Sequence, residues 1–530
     1  MLGCRRMRTR ALQTSFPFGS RLCEGLAGAA RRRASPAPFS SRTAGFSTEA
    51  AEPESQPLMA SKPYALATAI EGAGLRRGFA VWDRKEGRVK VSHEALEPLR
   101  QFLEQDTVDY DRHEGLFFEI GRHTRALHGA FLANTTRGQG CGGIRLRKYE
   151  TVEEYVRDGM RLATGMGRKS ALAGLWAGGG KGVIAEPPRV KLHDFSGTPW
   201  EDQFQQRNDR DLESYLNTER VIEDRFYRNV LFREYGDFLT SLRGCYVAAE
   251  DAGVSVEDVD VVFERSRYTT CISPSKGGSG NPSVPTAAGI VSAMEGALAE
   301  LGMGTLKDKR VVIQGTGNVG RPLIGFLLEK GVGSIVAGDV QESMVQKARD
   351  EFDSVPNVDI KLLRSEEDKE SLWATQCDIL SPCAFGAVLN EISIPKINAK
   401  IVCGAANNQL RDPHTHGELF LNEGVVYVPD FVANRMGIVN CANEQYGRVG
   451  DLHQLKDPVI TKHLDQNWEH GVFQTTRRVL NLAAKQNIAT NKAADKLADE
   501  YLREPHPIWG HRSKDIIDSL IENDWHLMTL

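Results

Sequence analysis

One stretch near the middle of the chain, residues 309–339, constrains the fold more than any other. The apolar run Val311–Ile313 is typical of a buried parallel strand, and it leads directly into a turn of the form G-x-G-x-x-G. Apolar residues then recur at helical spacing, and a second apolar segment, residues 334–337, ends near Asp339. The pattern predicts strand, tight glycine turn, helix and second strand.

These elements together indicate a dinucleotide site. Glycines allow backbone amides to approach a pyrophosphate, and the helix expected to begin near Asn318 points its positive end at that charge. A carboxylate about 20 residues further on, here Asp339, can accept the adenosine-ribose hydroxyls. A lone glycine pattern also occurs in ordinary α/β turns, but both strands and the acid favour a Rossmann domain that binds NAD. The predicted cofactor-binding residues here are Gly315, Thr316, Gly317, Asn318, Val319, Gly320 and Asp339.

The first 48 residues differ in composition from the rest of the chain. They contain nine arginines, no lysine and a single acidic residue, Glu24, and they are rich in alanine and serine. This composition predicts a transit peptide over 1–48, followed by a linker over 49–62. A basic arm that binds nucleic acid is the alternative, but the acidic body of the chain would repel phosphates. We expect the mitochondrial matrix as location, with the plastid as second choice.

The cysteine pattern argues against a disulfide framework and against a metal site. Of nine cysteines, seven lie beyond the leader, and none forms a C-x-x-C pair. We therefore expect buried free thiols in a reducing compartment. His414 and His416 suggest a metal site only weakly and are interpreted as part of a surface loop. No apolar run approaches the length of a membrane span, so we expect no membrane partner.

Three residues with reactive side chains stand at informative positions. Thr151 to Glu154 is a capping box, which predicts a helix that ends near residues 165–169. Taken alone, Lys169 is explained as a cation at the C-terminus of this helix, without any functional role. Lys181 lies in the glycine-rich run 178–182, predicted as a loop before a strand, without the spacing of a Walker phosphate loop. Asp251 follows an apolar strand, where a carboxylate is either a cap or an acid/base group.

Several other segments give weaker signals. The adjacent pair Gly142 and Gly143 predicts that something approaches the backbone closely. Residues 190–232 are polar and charged, which favours a helical excursion at the surface. Further strands with small residues at their ends are predicted over 377–384 and 401–408, where a doubly wound sheet meets its ligand. At 530 residues, the chain is too long for one ordinary core, so two domains are expected.

Four groups of motifs together resemble the glutamate/leucine/phenylalanine/valine dehydrogenase family, most closely its leucine and valine branch. They span about residues 130 to 445. In sequence letters they are GGIR, KSALAGLWAGGGKGVI, YVAAEDAGVSVEDVDVV, and the run from ISPSKGGSGNPS through QGTGNVG, SPCAFGAVLN, GAANNQL and VYVPDFVANRMGIVN.

The resemblance implies roles for individual residues. Lys181 would polarise the oxygen of the reacting carbon, and Asp251 would exchange protons with the amino group and water. Lys169 would bind the substrate carboxylate. Thr286, Asn407 and Asn408 would line the nicotinamide side of the cofactor. The remaining substrate-binding positions implied by the resemblance are Gly143, Cys141, Ala249, Ile438 and Cys441.

The same resemblance predicts the whole fold and function. The fold class is α/β, with a transit peptide and linker followed by an N-terminal substrate and oligomerisation domain (63–285), a C-terminal Rossmann NAD-binding domain (286–445) and a C-terminal helical segment (446–530). We expect an NAD-dependent dehydrogenase that converts an apolar, branched-chain L-amino acid reversibly into the 2-oxo acid and ammonia. A homo-oligomer is expected, with no metal and no nucleic-acid partner.

Two rival functions remain at this point, a glutamate dehydrogenase and a non-catalytic NAD-binding sensor or scaffold. The pocket positions are small or apolar where glutamate enzymes of the family have a lysine and a serine, and this favours apolar substrates. Arg435 bears on the choice, because the family commonly has Asn-Ala-Gly-Gly where this chain has Asn434-Arg435-Met436-Gly437. If Arg435 turned into the pocket, it would pair with an acidic substrate and reverse the preference.

Overall fold

Two β-sheets, one in each half of the chain, organise the computed structural model. It describes residues 57–185, 225–384, 386–447 and 454–528. In the described residues the first sheet has seven strands in the order β2-β1-β3-β4-β6-β5-β7, and the second has six in the order β10-β9-β8-β11-β12-β13. The strands are β1 (Arg77–Asp83), β2 (Arg88–Val91), β3 (Gly115–Ile120), β4 (Leu127–Asn134), β5 (Gly140–Arg147), β6 (Gly178–Ala185), β7 (Tyr246–Glu250), β8 (Arg310–Gln314), β9 (Ser334–Asp339), β10 (Val358–Leu362), β11 (Cys377–Pro382), β12 (Ala399–Val402) and β13 (Val426–Tyr427).

Helices cover both sheets within the described part of the chain. They are α1 (Pro63–Gly72), α2 (Glu97–Gln105), α3 (Val152–Leu172), α4 (Arg225–Ser241), α5 (Val256–Arg265), α6 (Ser283–Glu300), α7 (Gly320–Glu329), α8 (Glu342–Phe352), α9 (Glu366–Trp373), α10 (Pro413–Asn422), α11 (Asp430–Ala433), α12 (Met436–Tyr446), α13 (Pro458–Lys462), α14 (Val472–Gln486), α15 (Thr490–Leu502) and α16 (Arg512–Glu522). Most of the polar excursion predicted over 190–232 lies outside the described residues, and its last eight residues belong to α4.

The first sheet is buried on both faces. Successive residues of a strand point to opposite faces, so Phe117 and Phe118 enter different cores. Phe118 packs edge-on against Phe131, on the face covered by α1, α2 and α3, whereas Phe117 packs edge-on against Trp525. Strands β1 to β4 and β6 pair antiparallel, and β5 pairs parallel with β6 and β7. The carboxyl ends of β5, β6 and β7 therefore meet at one edge.

The second sheet is parallel throughout. Its strand order is that of a doubly wound dinucleotide fold, in which the order reverses between the first strand of the sheet, β8, and the fourth, β11. Ligands of such sheets bind outside the carboxyl ends of the strands at this reversal point. The predicted strand–turn–helix is confirmed, although α7 begins at Gly320 rather than near Asn318. The strand predicted over 377–384 is present as β11, which ends at Pro382. The strand predicted over 401–408 is only partly right, because β12 ends at Val402 and residues 403–408 lie beyond it.

Helix α3 runs further than its sequence predicts. The Thr151 hydroxyl accepts a hydrogen bond from the Glu154 amide at 3.0 Å, as predicted, but the Glu154 carboxylate accepts from the Glu150 amide rather than from Thr151. The helix then continues to Leu172 instead of ending near residues 165–169. Lys169 therefore lies inside the last turn of a long helix.

The C-terminal helices divide between the two halves of the molecule. Helices α14 and α15 pack against α6 and α3, while the last turn of the chain returns to the first sheet. There Trp525 is fully buried, and its indole nitrogen donates to the Ser241 hydroxyl at 3.1 Å. Among the described residues, none of the helices has the length and apolar character needed to cross a bilayer.

Candidate active site

Three charged side chains of the first half meet beside the carboxyl end of β7. Lys181 lies within β6 and is 3% exposed, and its ammonium donates a hydrogen bond to Asp251 Oδ2. Arg145, near the end of β5, donates to the same carboxylate oxygen from Nε at 3.3 Å. The predicted pair of Lys181 and Asp251 is therefore assembled, and a second cation joins it.

Electrostatics fix the protonation of this centre. Burial lowers the pKa of Lys181, while the neighbouring Asp251 carboxylate acts to raise it. Burial by itself would raise the pKa of Asp251, but Lys181 and Arg145 outweigh it and hold that pKa well below its usual range. Asp251 is therefore a carboxylate at neutral pH, with two cations beside it.

The paired glycines of β5 explain how the centre fits together. A Cβ on Gly143 would lie 2.6 Å from the Cβ of Asp251 and 2.5 Å from the Glu250 carbonyl oxygen. A Cβ on Gly142 would lie 1.9 Å from the carbonyl oxygen of Gly180. The close approach that the sequence predicts is thus made by the backbone of the two neighbouring strands and by the Cβ of Asp251.

Lys169 faces this centre from α3 and reaches the second sheet. Its ammonium donates to Asn407 Oδ1 at 3.3 Å, and the same oxygen accepts from Asn434 Nδ2 at 2.8 Å. Burial lowers the pKa of Lys169, and the charges of Asp430 and Asp251 act in the opposite direction. Lys169, Lys181 and Asp251 thus lie close enough to influence one another electrostatically.

The glycine turn has three glycines with three different surroundings. Gly315 has a φ of +102° and abuts Ala384, so a tight left-handed turn requires glycine there. A Cβ on Gly320 would lie 2.0 Å from the Gly315 carbonyl oxygen, whereas one on Gly317 would meet nothing within 4 Å. These are the turn, the helix–strand packing and the open space for a pyrophosphate that dinucleotide folds require.

Asp339 stands at the end of β9 beside this turn. One carboxylate oxygen accepts from the Thr316 amide at 2.8 Å, and the other accepts from the Gln341 amide at 2.9 Å. Both bonds hold the carboxylate where a ribose would lie next to the pyrophosphate space. Asn318 and Val319 complete the turn before α7. The residues present therefore fit a dinucleotide.

The positions that the resemblance assigns to the nicotinamide side also converge. Asn408 has a φ of +51°, and its amide donates to Asp430 Oδ2 at 2.6 Å. Thr286, in the first turn of α6, lies opposite α12, because a Cβ on Gly437 would lie 3.2 Å from its hydroxyl. The amide oxygen of Asn407 is bound to Lys169 of α3. Residues from both halves thus face the same cleft.

The positions assigned to the substrate side chain are small and nearly buried. Cys141, Ala249 and Ile438 are 9%, 9% and 8% exposed. Cys141 lies on β5, and its thiol contacts the side-chain oxygen of Gln445 on α12 at 3.7 Å. Ile438 and Cys441 belong to the same helix, one turn apart. This helix therefore faces the strand ends of the first sheet.

Two expectations about cysteine and histidine are wrong. Cys441 is bonded to Cys271 in a disulfide, because a loop distant in sequence brings Cys271 to α12 with a Cα–Cα distance of 5.5 Å. Cys141, Cys245, Cys377, Cys383 and Cys403 are free, as expected. His416 is a buried residue of α10, not a loop residue, and its Nε2 lies 3.0 Å from Glu391. Within the described residues no cluster of side chains suits a metal ion.

Two further expectations concern single residues. Lys181 lies inside a strand rather than in a loop, because Gly178 to Gly180 lie against neighbouring backbone instead of forming a turn. Arg435 does not turn into the pocket, since its guanidinium binds α3 and the segment before α14.

Sequence reasoning gave no role to Arg145 or to the residues that hold it. Arg145 NH1 donates to Asp158 at 3.1 Å, and the Tyr149 hydroxyl donates to the same carboxylate at 2.7 Å. A signal was present, because Arg145 is two residues beyond Gly143 and therefore lies on the same face of the strand.

A nucleotide turn on one sheet and a buried lysine–aspartate pair on the other fit a nucleotide-dependent oxidoreductase. Residues 277–502 match the family described as Glutamate/Leucine/Phenylalanine/Valine dehydrogenase, and residues 124–194 match its dimerisation domain. The chain belongs to this family and is an amino-acid dehydrogenase.

Individual relatives agree with this assignment. The chain is 33% identical to leucine dehydrogenase of Geobacillus stearothermophilus over 410 residues, which cover 76% of this chain and 93% of that protein. It is 33% identical to valine dehydrogenase of Streptomyces coelicolor over 407 residues, covering 76% and 93%. The crystal structure of L-tryptophan dehydrogenase from Nostoc punctiforme superimposes with a TM-score of 0.53 at 25% identity, covering 76% of this chain and 97% of that one.

Proposed function

We propose that the protein catalyses the reversible, NAD-dependent oxidative deamination of an apolar, branched-chain L-amino acid to its 2-oxo acid and ammonia. The observation that carries this proposal is the ion pair of Lys181 with Asp251, placed opposite Lys169 at the edge that faces the nucleotide sheet. The relatives described above are named as leucine, valine and tryptophan dehydrogenases, which supports an apolar substrate.

The geometry divides the chemical work among three side chains. Lys169 supplies a cation that binds the substrate carboxylate. Its hydrogen bond to Asn407 places this cation next to the nucleotide-binding half of the molecule. Lys181 provides positive charge for the oxygen that becomes negative when water adds to the oxidised carbon. Asp251 accepts and returns protons at the amino group and at that water. A bound nicotinamide would accept the hydride from the substrate Cα.

The choice of NAD over NADP follows from Asp339. A 2′-phosphate beside this carboxylate would place two negative charges together, whereas free ribose hydroxyls would donate to it. We expect kcat/KM with NAD to exceed that with NADP at least tenfold. Equal values with the two cofactors would contradict the role of Asp339.

Substrate preference follows from the pocket side chains. A glutamate γ-carboxylate among Cys141, Ala249 and Ile438 would lose its hydration without gaining a charged partner, at a cost of several kcal/mol. Arg435 cannot supply that partner, because its guanidinium is already bound to Leu172 and His470 carbonyls. Apolar substrates should therefore exceed glutamate about a hundredfold in kcat/KM.

A panel of amino acids tests the proposal. Initial rates of NAD reduction with leucine, isoleucine, valine, tryptophan and glutamate should rank a branched-chain substrate first. A panel led by glutamate would overturn the pocket assignment. Binding of NAD without turnover of any amino acid would instead support the non-catalytic sensor, against which the retained Lys169, Lys181 and Asp251 argue.

Assembly and location complete the proposal. We propose a homo-oligomer, supported by the match of residues 124–194 to a dimerisation domain. We also propose the mitochondrial matrix, supported by the composition of residues 1–48, which lie outside the described residues. A reporter fused after Ala60 should be imported and shortened; a full-length cytosolic product would contradict this location.

A further inference from the structure

Arg435 is a buried cation without a carboxylate partner among the described residues. Its side chain is fully buried, and its acceptors are the carbonyl oxygens of Leu172 and His470 and, at 3.1 Å, the hydroxyl of Thr475. Burial, together with the nearby charge of Arg478, lowers the pKa of Arg435 to about 9. A buried cation is costly. Its placement therefore calls for a role beyond filling space.

The guanidinium completes the C-terminus of α3. The helix ends in a left-handed Gly174, with the amides of Gly174 and Leu175 donating to the carbonyls of Ala171 and Ser170. The Ala173 amide donates to the Lys169 carbonyl, so Leu172 has the remaining carbonyl of the last four. Arg435 fills that position, where a cation also interacts favourably with the helix dipole.

The residue before Arg435, Asn434, binds the same amide oxygen that accepts from Lys169. Asn434 Nδ2 donates to the Ala405 carbonyl at 3.0 Å and to Asn407 Oδ1 at 2.8 Å, and Asn407 Oδ1 accepts from Lys169. Arg435 thus binds the carbonyl of Leu172, three residues after Lys169, and Asn434 binds the amide oxygen that accepts from the Lys169 ammonium. Both lie immediately before α12, which carries Ile438 and Cys441.

We propose that Arg435 is a positioning residue for substrate binding, which fixes the last turn of α3 so that the Lys169 ammonium stands opposite Asn407 and beside the pocket helix. This inference rests on the proposed function, because it assigns to Lys169 the substrate carboxylate. Arg435 itself touches neither substrate nor cofactor. It acts by setting the distance between the carboxylate site and the side-chain pocket, and small displacements of such groups are costly in enzymes.

The test compares substitutions of two neighbouring arginines. Arg435→Met keeps the length but leaves two buried carbonyls without their donor. We expect KM for the amino acid to rise about tenfold, with kcat and the KM for NAD changed less than about threefold. Arg435→Lys should recover part of the loss. Arg478→Met is the matched control, since Arg478 binds Tyr501 and the Glu469 carbonyl and not α3.

The outcomes separate positioning from general stability. An unchanged KM in Arg435→Met would overturn the inference. If kcat fell at the same time, the variant would simply contain a smaller folded fraction. If Arg435→Met does not fold, Thr475→Val removes one acceptor of the same guanidinium and should raise KM about twofold. An unchanged KM in that variant would also overturn the inference.

A binding experiment distinguishes this failure from failure of the proposed function. Isocaproate, an unreactive carboxylic acid with a branched side chain, should bind the wild-type protein in the presence of NADH whether or not amino acids turn over. Titration calorimetry should show about tenfold weaker binding to Arg435→Met and unchanged binding to Arg478→Met. Equal affinity for all three proteins would reject the positioning role, and absence of binding to the wild type would reject the carboxylate site at Lys169.

Discussion

The two sides of the cleft are built from different parts of the chain, one mainly from backbone atoms and the other from charged side chains. The nucleotide side is made of backbone, because three glycines and the carboxylate of Asp339 shape it within a single strand–turn–helix–strand unit. The other side, called the reacting side because the proposed reaction takes place there, is made of charged side chains from separate elements of the first half: Arg145, Lys169, Lys181 and Asp251. Substitutions in a site made of backbone act by steric hindrance, because an added side chain occupies space that the fold or the ligand needs. Substitutions in a charged site act by removing a functional group. Mutations on the two sides should therefore fail in different ways.

The largest effect is expected on the reacting side. Lys181→Ala removes the cation that we propose stabilises the developing oxyanion, so kcat should fall about a hundredfold or more while NADH binding stays near the wild-type affinity. Turnover by absorbance and NADH binding by fluorescence measure the two quantities. Lys85→Ala, at an exposed lysine, should leave both unchanged. Near-normal turnover in Lys181→Ala would remove the difference between the two sides.

Two glycines of the nucleotide turn sharpen the comparison. Gly320→Ala places a Cβ 2.0 Å from a carbonyl oxygen and should destabilise the fold by about 3 kcal/mol, seen as a lower melting temperature. Gly317→Ala meets no protein atom within 4 Å, so it should melt like the wild type but bind NAD about tenfold more weakly. Equal stability of the two variants would mean that α7 does not pack as described.

The smallest effect concerns Glu250, the neighbour of Asp251. Its Oε2 is buried without a hydrogen-bond partner among the described residues, and burial together with the charge of Asp251 raises its pKa to about 7. The folded protein therefore holds a proton that the unfolded chain releases at its ordinary pKa of 4.5. This stabilisation is complete below that value and is lost as the pH rises through 7.

Glu250→Gln removes this dependence. The variant should gain about 1–3 kcal/mol relative to the wild type at pH 8 and nothing comparable at pH 5, measured by urea unfolding at each pH. Glu329→Gln, at an exposed carboxylate of α7, serves as the control. Parallel pH curves for wild type and Glu250→Gln would show that Glu250 is ionised in the folded protein at neutral pH.

The nucleotide turn and the charged centre also differ in how far each could be predicted from the sequence. The nucleotide turn could be predicted from spacing alone, because all its parts lie within residues 309–339. Lys181, Asp251 and Lys169 gained their roles only through resemblance, since no local pattern brings a strand lysine to a carboxylate seventy positions away. The predicted loop at Lys181 failed for the same reason. Gly178 to Gly180 lie in a strand because tertiary neighbours approach them; a Cβ on Gly179, for example, would lie 2.4 Å from the Ala163 carbonyl oxygen.

Tertiary packing also set the other outcomes that the sequence did not reveal. Cys271 and Cys441 are 170 positions apart, and neither belongs to a recognisable pair. The orientation of Arg435 depends on the backbone carbonyls of Leu172 and His470. A pattern of side chains in the sequence cannot predict such backbone partners. In each of these cases the partner lies far away in the sequence, so no local pattern could identify it.

The return of the chain to the first sheet has a consequence for the order of folding during synthesis. Arg77 donates to the Met528 carbonyl across 451 positions, and Trp525 fills the core beside Phe117. The first half to leave the ribosome therefore cannot finish its own core, whereas the nucleotide sheet that follows contains all its strands within residues 310–427. A nascent chain must keep the apolar face around Phe117 from aggregating until translation has reached Trp525, so the half made first is the half completed last.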